Sequence, residues 1–322
     1  MKLIKIDGFV IAMLLAVIFS FIFPQLGGDN SPLHLGLVTT WGISLVFFLH
    51  GANLSFGAIK AGLGAWRLHL LVQATTFVLF PIIGFAIYFG LDFLSPEVRL
   101  GLFFLCALPS TISSSVAMTA IGKGNVAGAV FNATLSGILG MIITPFYISL
   151  ITATTNGGHL DVLGAVLDIM KTLLIPFILG QVLRPILKEF LQKNKKIINT
   201  LDRTTIILIV FVAFCHSNIS NIWSKIPALQ LVLIFAIVAI ILALVLFITT
   251  ITAKSLGFSH EDEVAGVFCG SKKSLANGAP IAAILFAGSP VLGIIILPTM
   301  IYHQLQLMVC SVIAARYASK IS

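Results

Sequence analysis

From Ala228 to Thr252 the chain runs ALQLVLIFAIVAIILALVLFITTIT without one charged side chain. About 20 apolar residues let a helix cross a bilayer. In hydrocarbon every backbone N–H and C=O must be paired within the protein, so such a run folds as a helix. Runs of this kind tile the sequence at 8–24, 35–53, 68–90, 126–153, 163–186, 203–220, 228–252 and 291–316. Only 9% of the 322 residues are charged and 58% are hydrophobic, against roughly 25% charged in a soluble domain. The chain therefore reads as an all-α, multi-pass integral membrane protein. Its bulk partner is the lipid bilayer, and its net charge of +8 is not a nucleic-acid footprint. The run after Asp7 has no small-residue cleavage site behind it and reads as a retained first helix rather than a signal peptide.

Two further apolar segments are interrupted. One is VRLGLFFLCALPSTISSSVAMTAIG at 98–122, the other EVAGVFCGSKKSLANGAPIAAILFA at 263–287. Each has an apolar arm, a polar core rich in Gly, Pro or Ser, and a second apolar arm. Together with the eight continuous runs they give ten spans, the fourth and ninth discontinuous. With both termini in the cytoplasm, this map leaves Arg99 and Lys225 as the basic residues at outer ends. The remaining loop lysines and arginines, from Lys2 to Lys320, fall inside, as the positive-inside rule asks. A plasma (inner) membrane is the expected location.

A weak internal repeat supports the map. Asp7 and Pro24 match Asp168 and Pro185 at a shift of 161, and Pro109 falls on Gly270 at the same shift. Asn53, Ser55 and Lys60 fall on Asn218, Ser220 and Lys225 at a shift of 165. The halves 1–155 and 160–322 would each hold five spans and meet near Asn156-Gly157-Gly158. An odd number per half inverts the second half, and inverted repeats with matching broken helices are the mark of secondary transporters.

The map leaves Lys171, Lys272 and Lys273 at membrane depth. Asp168, one turn before Lys171, can pair with it. Lys272 and Lys273 have no acid within a turn, yet a charge at bilayer depth costs about 2.5–3.5 kcal/mol on insertion scales. The breaks themselves offer Ser110, Thr111, Ser113, Ser114 and Ser115 on one side, with Ser271, Lys272, Lys273, Ser274 and Asn277 on the other. Asn132 on the fifth span is placed to approach the first break. Half-helix N-termini favour anions, and free carbonyl ends and hydroxyls favour small cations. The alternative for any single serine is that it only lets helices pack closely.

At these residues the sequence resembles a known family. LPSTISSSVAMTAIGKGNVAGAVFNATLSGILGMIITP (108–145) looks like the fourth and fifth spans of the bile acid:sodium symporter family. FCGSKKSLANGAPIAAILFAG (268–288) is similar to the ninth span of the subgroup that includes solute carrier family 10 member 7. The resemblance covers the whole chain. It implies a carrier with a panel domain, including spans 1, 2, 6 and 7, and a core domain in which the two broken helices cross. The sodium ligands of the family do not carry over. Its Ser-Asn step reads Ser114-Ser115 here, and its ninth-span Glu and Gln fall on Val267 and Ser271. Its third-span Gln falls on Thr76, five residues before Pro81. Sodium stays open as a coupling ion, but two lysines beside the site have the wrong sign for it. No other cofactor is expected.

Four roles for the lysines follow. An ammonium can stand where sodium sits in the relatives, bind an anionic group of a solute, carry a proton, or only hydrogen-bond the carbonyls of the first break from a wet cavity. Further cavity candidates are His50, Asn53, His216 and Asn218 at the ends of spans two and seven, and His303, Gln304 and Gln306 in span ten; a histidine at a helix end, as His50 and His216 are, is more often interfacial. The function expected is a secondary transporter of a small anionic organic solute by alternating access at the crossing. The alternative is a non-transporting membrane protein that keeps the carrier fold and regulates a partner. An enzyme is not expected: no paired acids, metal cluster or nucleophile with its base stands out.

Overall fold

The computed structural model describes residues 8–29, 31–54, 64–156, 167 and 170–320. Among them every regular element is helical. The helices are α1 (Gly8–Ile22), α2 (Leu35–Asn53), α3 (Trp66–Gly90), α4 (Pro96–Ala107), α5 (Ser113–Ile121), α6 (Val126–Asn156), α7 (Ile175–Lys193), α8 (Lys195–Ile219), α9 (Ala228–Ser255), α10 (His260–Gly270), α11 (Leu275–Leu285) and α12 (Leu292–Ser319). Six of the described helices are long and apolar enough to cross a membrane: α2, α3, α6, α8, α9 and α12. The Asp168 partner expected for Lys171 lies outside the described residues. So do Asp7, Ser55 and Lys60 of the internal repeat and the Gly157-Gly158 junction.

The breaks have local causes. α4 ends at Ala107 because Pro109 disfavours helical geometry at Leu108, which is extended at φ −70°, ψ 153°. The chain resumes as α5 at Ser113. α10 begins at His260, where the Ser259 hydroxyl accepts a bond from the Asp262 N–H and three acids occupy the first turn, as the positive helix end favours. It stops at Gly270, and α11 starts at Leu275. Near its middle α3 widens into a π turn at Thr75–Leu79, just ahead of Pro81.

The chain forms two compact units. One comprises Met1–Leu54, Pro145–Pro227 and Ala279–Ile296; the other comprises Ser55–Thr144, Ala228–Gly278 and Leu297–Ser322. Compactness therefore cuts across the two sequence halves, each unit taking segments from both. In the first unit α2 and α7 meet backbone to backbone. A Cβ on Gly51 would overlap the Phe177 carbonyl, and one on Gly180 would overlap the Phe48 carbonyl. Small residues at such contacts bring helices close enough for dispersion to act where no hydrophobic drive exists. In the second unit Leu68, Val72, Ala129, Ala265 and Cys269 form a buried cluster that joins α3, α6 and α10.

Candidate functional site

Both breaks lie in the second unit, and there their cut ends meet. The Ser274 N–H donates to the Pro109 carbonyl at 2.9 Å. Ser110 Oγ donates to the Cys269 carbonyl at 2.6 Å, and Ser115 Oγ to the Phe268 carbonyl at 3.2 Å. Hydroxyls of one break thus take the loose carbonyls at the end of the other half-helix. This is the condition for unwound chain to exist at membrane depth. Gly140 of α6 packs on the Pro109 ring, where an added Cβ would come within 2.6 Å.

Lys273 is completely buried. Its Nζ donates to the carbonyls of Leu108 at 2.5 Å, Cys106 at 2.9 Å and Thr76 at 3.1 Å. It stands 3.9 Å from the centre of the Phe80 ring. Each acceptor is free for a reason written in the sequence. Cys106 and Leu108 belong to the C-terminal end of α4, where helical partners run out; between them the Ala107 carbonyl takes the Thr144 hydroxyl at 2.8 Å. In α3 the π turn gives the Phe80 N–H to Thr75, and Pro81 has no N–H to give to Thr76. Three N–H donors therefore meet three orphaned carbonyls. Gln306 of α12 clamps the same residue, accepting from the Lys273 N–H and donating to its carbonyl, both at 2.9 Å.

Lys272 is also fully buried but differently satisfied. Its Nζ donates to the Ser114 carbonyl at 2.7 Å and lies 5.5 Å from the Phe268 ring centre. Among the described residues no carboxylate pairs with either ammonium. Adjacent lysines on an unwound segment point to different surroundings, and these two do.

The other expected residues fall as follows. Ser271 donates to the Val267 carbonyl at 2.6 Å, and its own carbonyl accepts from the Tyr302 hydroxyl at 2.5 Å. The Ser274 hydroxyl accepts from the Asn277 N–H at 3.1 Å. Ser113 is exposed at the start of α5, while the Ser114 hydroxyl is buried and unpaired. Thr76 serves through its carbonyl; its hydroxyl has no partner. Asn132 does not hydrogen-bond to the break. Its amide bonds Gly128 at 2.9 Å and meets His69 and Gln73 of α3. One turn further along α6, Ser136 accepts from the Ser110 N–H at 2.9 Å instead. His303 Nδ1 lies 3.0 Å from Gln306 Nε2, and Gln304 Nε2 is buried without a partner.

In the first unit, His50 stands 3.3 Å from Asp202, and Asn53 is exposed at the end of α2. Asn218 ties α8 to α1 by donating to the Ser20 carbonyl at 2.9 Å. His216 faces Asp29 across 3.6 Å in a pocket of about 370 Å³ that Gln25, Leu26, Ser31 and Ile219 also line. The sequence reading missed Phe80, Ser136, Thr144 and Tyr302. The last has a signal in hindsight, since Tyr302 and Gln306 are four residues apart and share one face of a helix.

A helical protein with several membrane-length apolar helices, in which two interrupted helices meet end to end with polar groups held there, has the build of a solute carrier. Comparison with known proteins agrees. The chain belongs to the SBF-like CPA transporter family, whose model matches residues 7–319. It is 45% identical over 317 residues to "Uncharacterized protein PA2026" of Pseudomonas aeruginosa, covering 98% of this chain and 93% of that one. It is 44% identical over 321 residues to "Putative symporter YfeH" of Escherichia coli, covering 98% and 95%. To "Sodium/bile acid cotransporter 7" of Danio rerio it is 30% identical over 316 residues, covering 96% and 93%.

Proposed function

We propose that the protein is a secondary carrier that moves a small anionic organic solute by alternating access at the crossing of α4–α5 with α10–α11, and that it does so without sodium. The observation that carries this is the Lys273 ammonium: buried, paired with no carboxylate among the described residues, and seated on three backbone carbonyls beside an aromatic ring. A desolvated monovalent cation wants such an oxygen cage. A covalently tethered one fills it permanently and cannot be released down a gradient. The family's sodium ligands are replaced at Ser115, Val267, Ser271 and Thr76, which agrees with this reading. The relatives named as symporters or sodium/bile acid cotransporters support transport as the activity.

Our reading keeps ten spans in two inverted halves, with α1, α2, α7 and α8 as panel; the first compact unit holds these four together with the end of α6 and most of α11. The test is uptake into proteoliposomes from a mixture of labelled organic acids, in sodium and in sodium-free buffer. The expected result is accumulation of at least one acid at equal rates in both. Accumulation only in sodium, or none beyond protein-free liposomes, would overturn the proposal; the latter would favour a regulatory protein on the carrier fold.

A further inference from the structure

The hairpin of α7 and α8 carries an unbalanced charge. From Arg184 to Arg203 it sets Arg184, Lys188, Lys193, Lys195, Lys196 and Arg203 against Glu189 and Asp202, a surplus that is half of the chain's net charge of +8. Among the described residues no carboxylate pairs with Lys188, Lys193, Lys195 or Lys196. Lys195 and Lys196 stand in the first turn of α8, which holds no acid. The positive end of a helix favours carboxylates over ammonium groups, so helix stability does not account for the two lysines.

From Lys196 a groove follows α8 within the first unit. Its first part, about 360 Å³, is lined by Lys196, Ile197, Thr200, Leu201 and Thr204. Thr204 also lines a second part of about 710 Å³, which continues past Ile207 and Phe211 of α8 against Ala12, Ala16 and Phe19 of α1. Lys196, Thr200, Thr204, Ile207 and Phe211 recur every three or four residues and so share one side of the helix. Each part has the size of a ligand pocket. Apart from Lys196, Thr200 and Thr204, every lining residue is apolar. The rise from Lys196 to Phe211 is about 22 Å at 1.5 Å per residue, more than the ~15 Å depth of one hydrocarbon leaflet. Arg203, beside Thr204 in the chain, lies 5.6 Å from the Phe9 ring centre of α1, a second cation where α1 meets α8.

We infer that this groove holds one diacyl phospholipid with an anionic headgroup, its phosphate at Lys196 and an acyl chain along α8 toward Phe211. An apolar trough with a cation at one end fits an amphiphile with an anion at one end. The rim is exposed and apolar at Leu15, Ile18 and Ile22, as a face that meets another molecule is. With the basic end toward the cytoplasm, Lys196 meets the leaflet whose surface is negative. The other candidate occupant is a second copy of the chain. A two-fold axis along the membrane normal would bring the patch against itself at equal depth, setting one basic hairpin against another, which the charge disfavours. The inference goes beyond the carrier reading and does not depend on it.

The experiment is thermal unfolding of the full-length protein in detergent, titrated with dioleoyl phosphatidylglycerol or dioleoyl phosphatidylcholine. Phosphatidylglycerol should stabilise saturably, with an apparent affinity at least about fivefold above that of phosphatidylcholine. Lys196→Gln should weaken the phosphatidylglycerol affinity about fivefold, the scale of one lysine at an anionic surface, and Lys196→Arg should keep it. Lys188→Gln removes the same charge from α7, outside the groove lining, and should change the affinity by less than about twofold once salt screens it. Ala12→Phe fills the groove, leaves every charge in place and should abolish saturable binding. If Ala12→Phe does not fold, Lys196→Gln against Lys188→Gln decides. The inference is overturned if phosphatidylcholine stabilises as well as phosphatidylglycerol, if the two lysine variants lose affinity alike, or if Ala12→Phe binds as the parent does. A parent that is a dimer by light scattering and an Ala12→Phe variant that is a monomer would give the groove to a second copy, and would equally overturn it.

Discussion

Replacing each lysine by methionine, which keeps the length of the side chain and removes the charge, separates their roles by stability alone. In Lys273→Met the carbonyls of Thr76, Cys106 and Leu108 lose their donor. A buried acceptor left unpaired costs about 1–3 kcal/mol, so three cost roughly 3–9 kcal/mol. The Phe80 contact adds about 2 kcal/mol when desolvated. Against this, the variant no longer buries a charge, a relief of several kcal/mol per ion. In Lys272→Met only the Ser114 carbonyl is orphaned, and the same relief applies. The desolvation terms nearly cancel between the two variants. Lys272→Met also loses its contact with the Phe268 ring, which offsets the Phe80 contribution, so what remains is two carbonyls, or about 2–6 kcal/mol by which Lys273→Met should be the less stable. At roughly 1.5 °C per kcal/mol for 322 residues, its unfolding midpoint should lie at least about 3 °C below that of Lys272→Met. The assay is thermal unfolding in one detergent at one salt concentration. Equal midpoints, or the reverse order, would refute the division of the lysines into a saturated and an unsaturated cation.

Other expectations follow from single contacts. Gly51→Ala and Gly180→Ala push a methyl group into the Phe177 and Phe48 carbonyls; each should cost about 1–3 kcal/mol or more, whereas Gly36→Ala, with open space around it, should leave the midpoint unchanged. Gln306→Leu removes both bonds to the Lys273 backbone and should lower stability by about 2–6 kcal/mol, with Gln306→Glu restoring only the bond from the N–H. Ser259→Ala deletes the cap of α10 and should cost about 0.5–2 kcal/mol near neutral pH. The Glu261 carboxyl is held below its ordinary range by its own backbone N–H and by the Ser259 hydroxyl. Its contribution is therefore present above the unfolded value and lost as pH falls through the folded one. The gap between parent and Ser259→Ala should narrow on acidification, which unfolding midpoints at several pH values would show.

The apolar runs were legible because composition alone decides what can lie in lipid, and most of the described helices follow them to within a few residues; the exceptions are α7, which runs Ile175–Lys193 where 163–186 was expected, and α8, which starts at Lys195 rather than Arg203. α9 extends to Ser255 rather than Thr252, and α4 starts at Pro96 rather than Val98, since helix ends persist into the interface where water takes over. Both breaks were legible from Pro109 and from the Gly270–Lys273 stretch, and so was the anomaly of two lysines without acids. What was not legible is which oxygen each lysine finds. That depends on a π turn in α3, which frees the Thr76 carbonyl, and on how far α4 runs before Pro109, features separated from Lys273 by well over a hundred residues. Asn132 was expected at the break because its span is adjacent. Its rotation about the helix axis turns it to His69 and Gln73 and leaves the break to Ser136. Tyr302 looks like an ordinary polar residue of an apolar helix until the second break is folded against it, whereas Gln306 was a candidate whose partner, the Lys273 backbone, was not legible.

The most direct test of the account is whether Lys273 holds the place of a cation. Thermal unfolding of the parent and of Lys273→Gln should be measured in sodium and in potassium at matched ionic strength. The account predicts no difference between the salts for the parent, and a sodium-specific rise for Lys273→Gln as the ion enters the vacated carbonyls, approaching about 2.7 kcal/mol at 100 times its dissociation constant. A sodium-specific rise in the parent, or no response to either ion in Lys273→Gln, would contradict it.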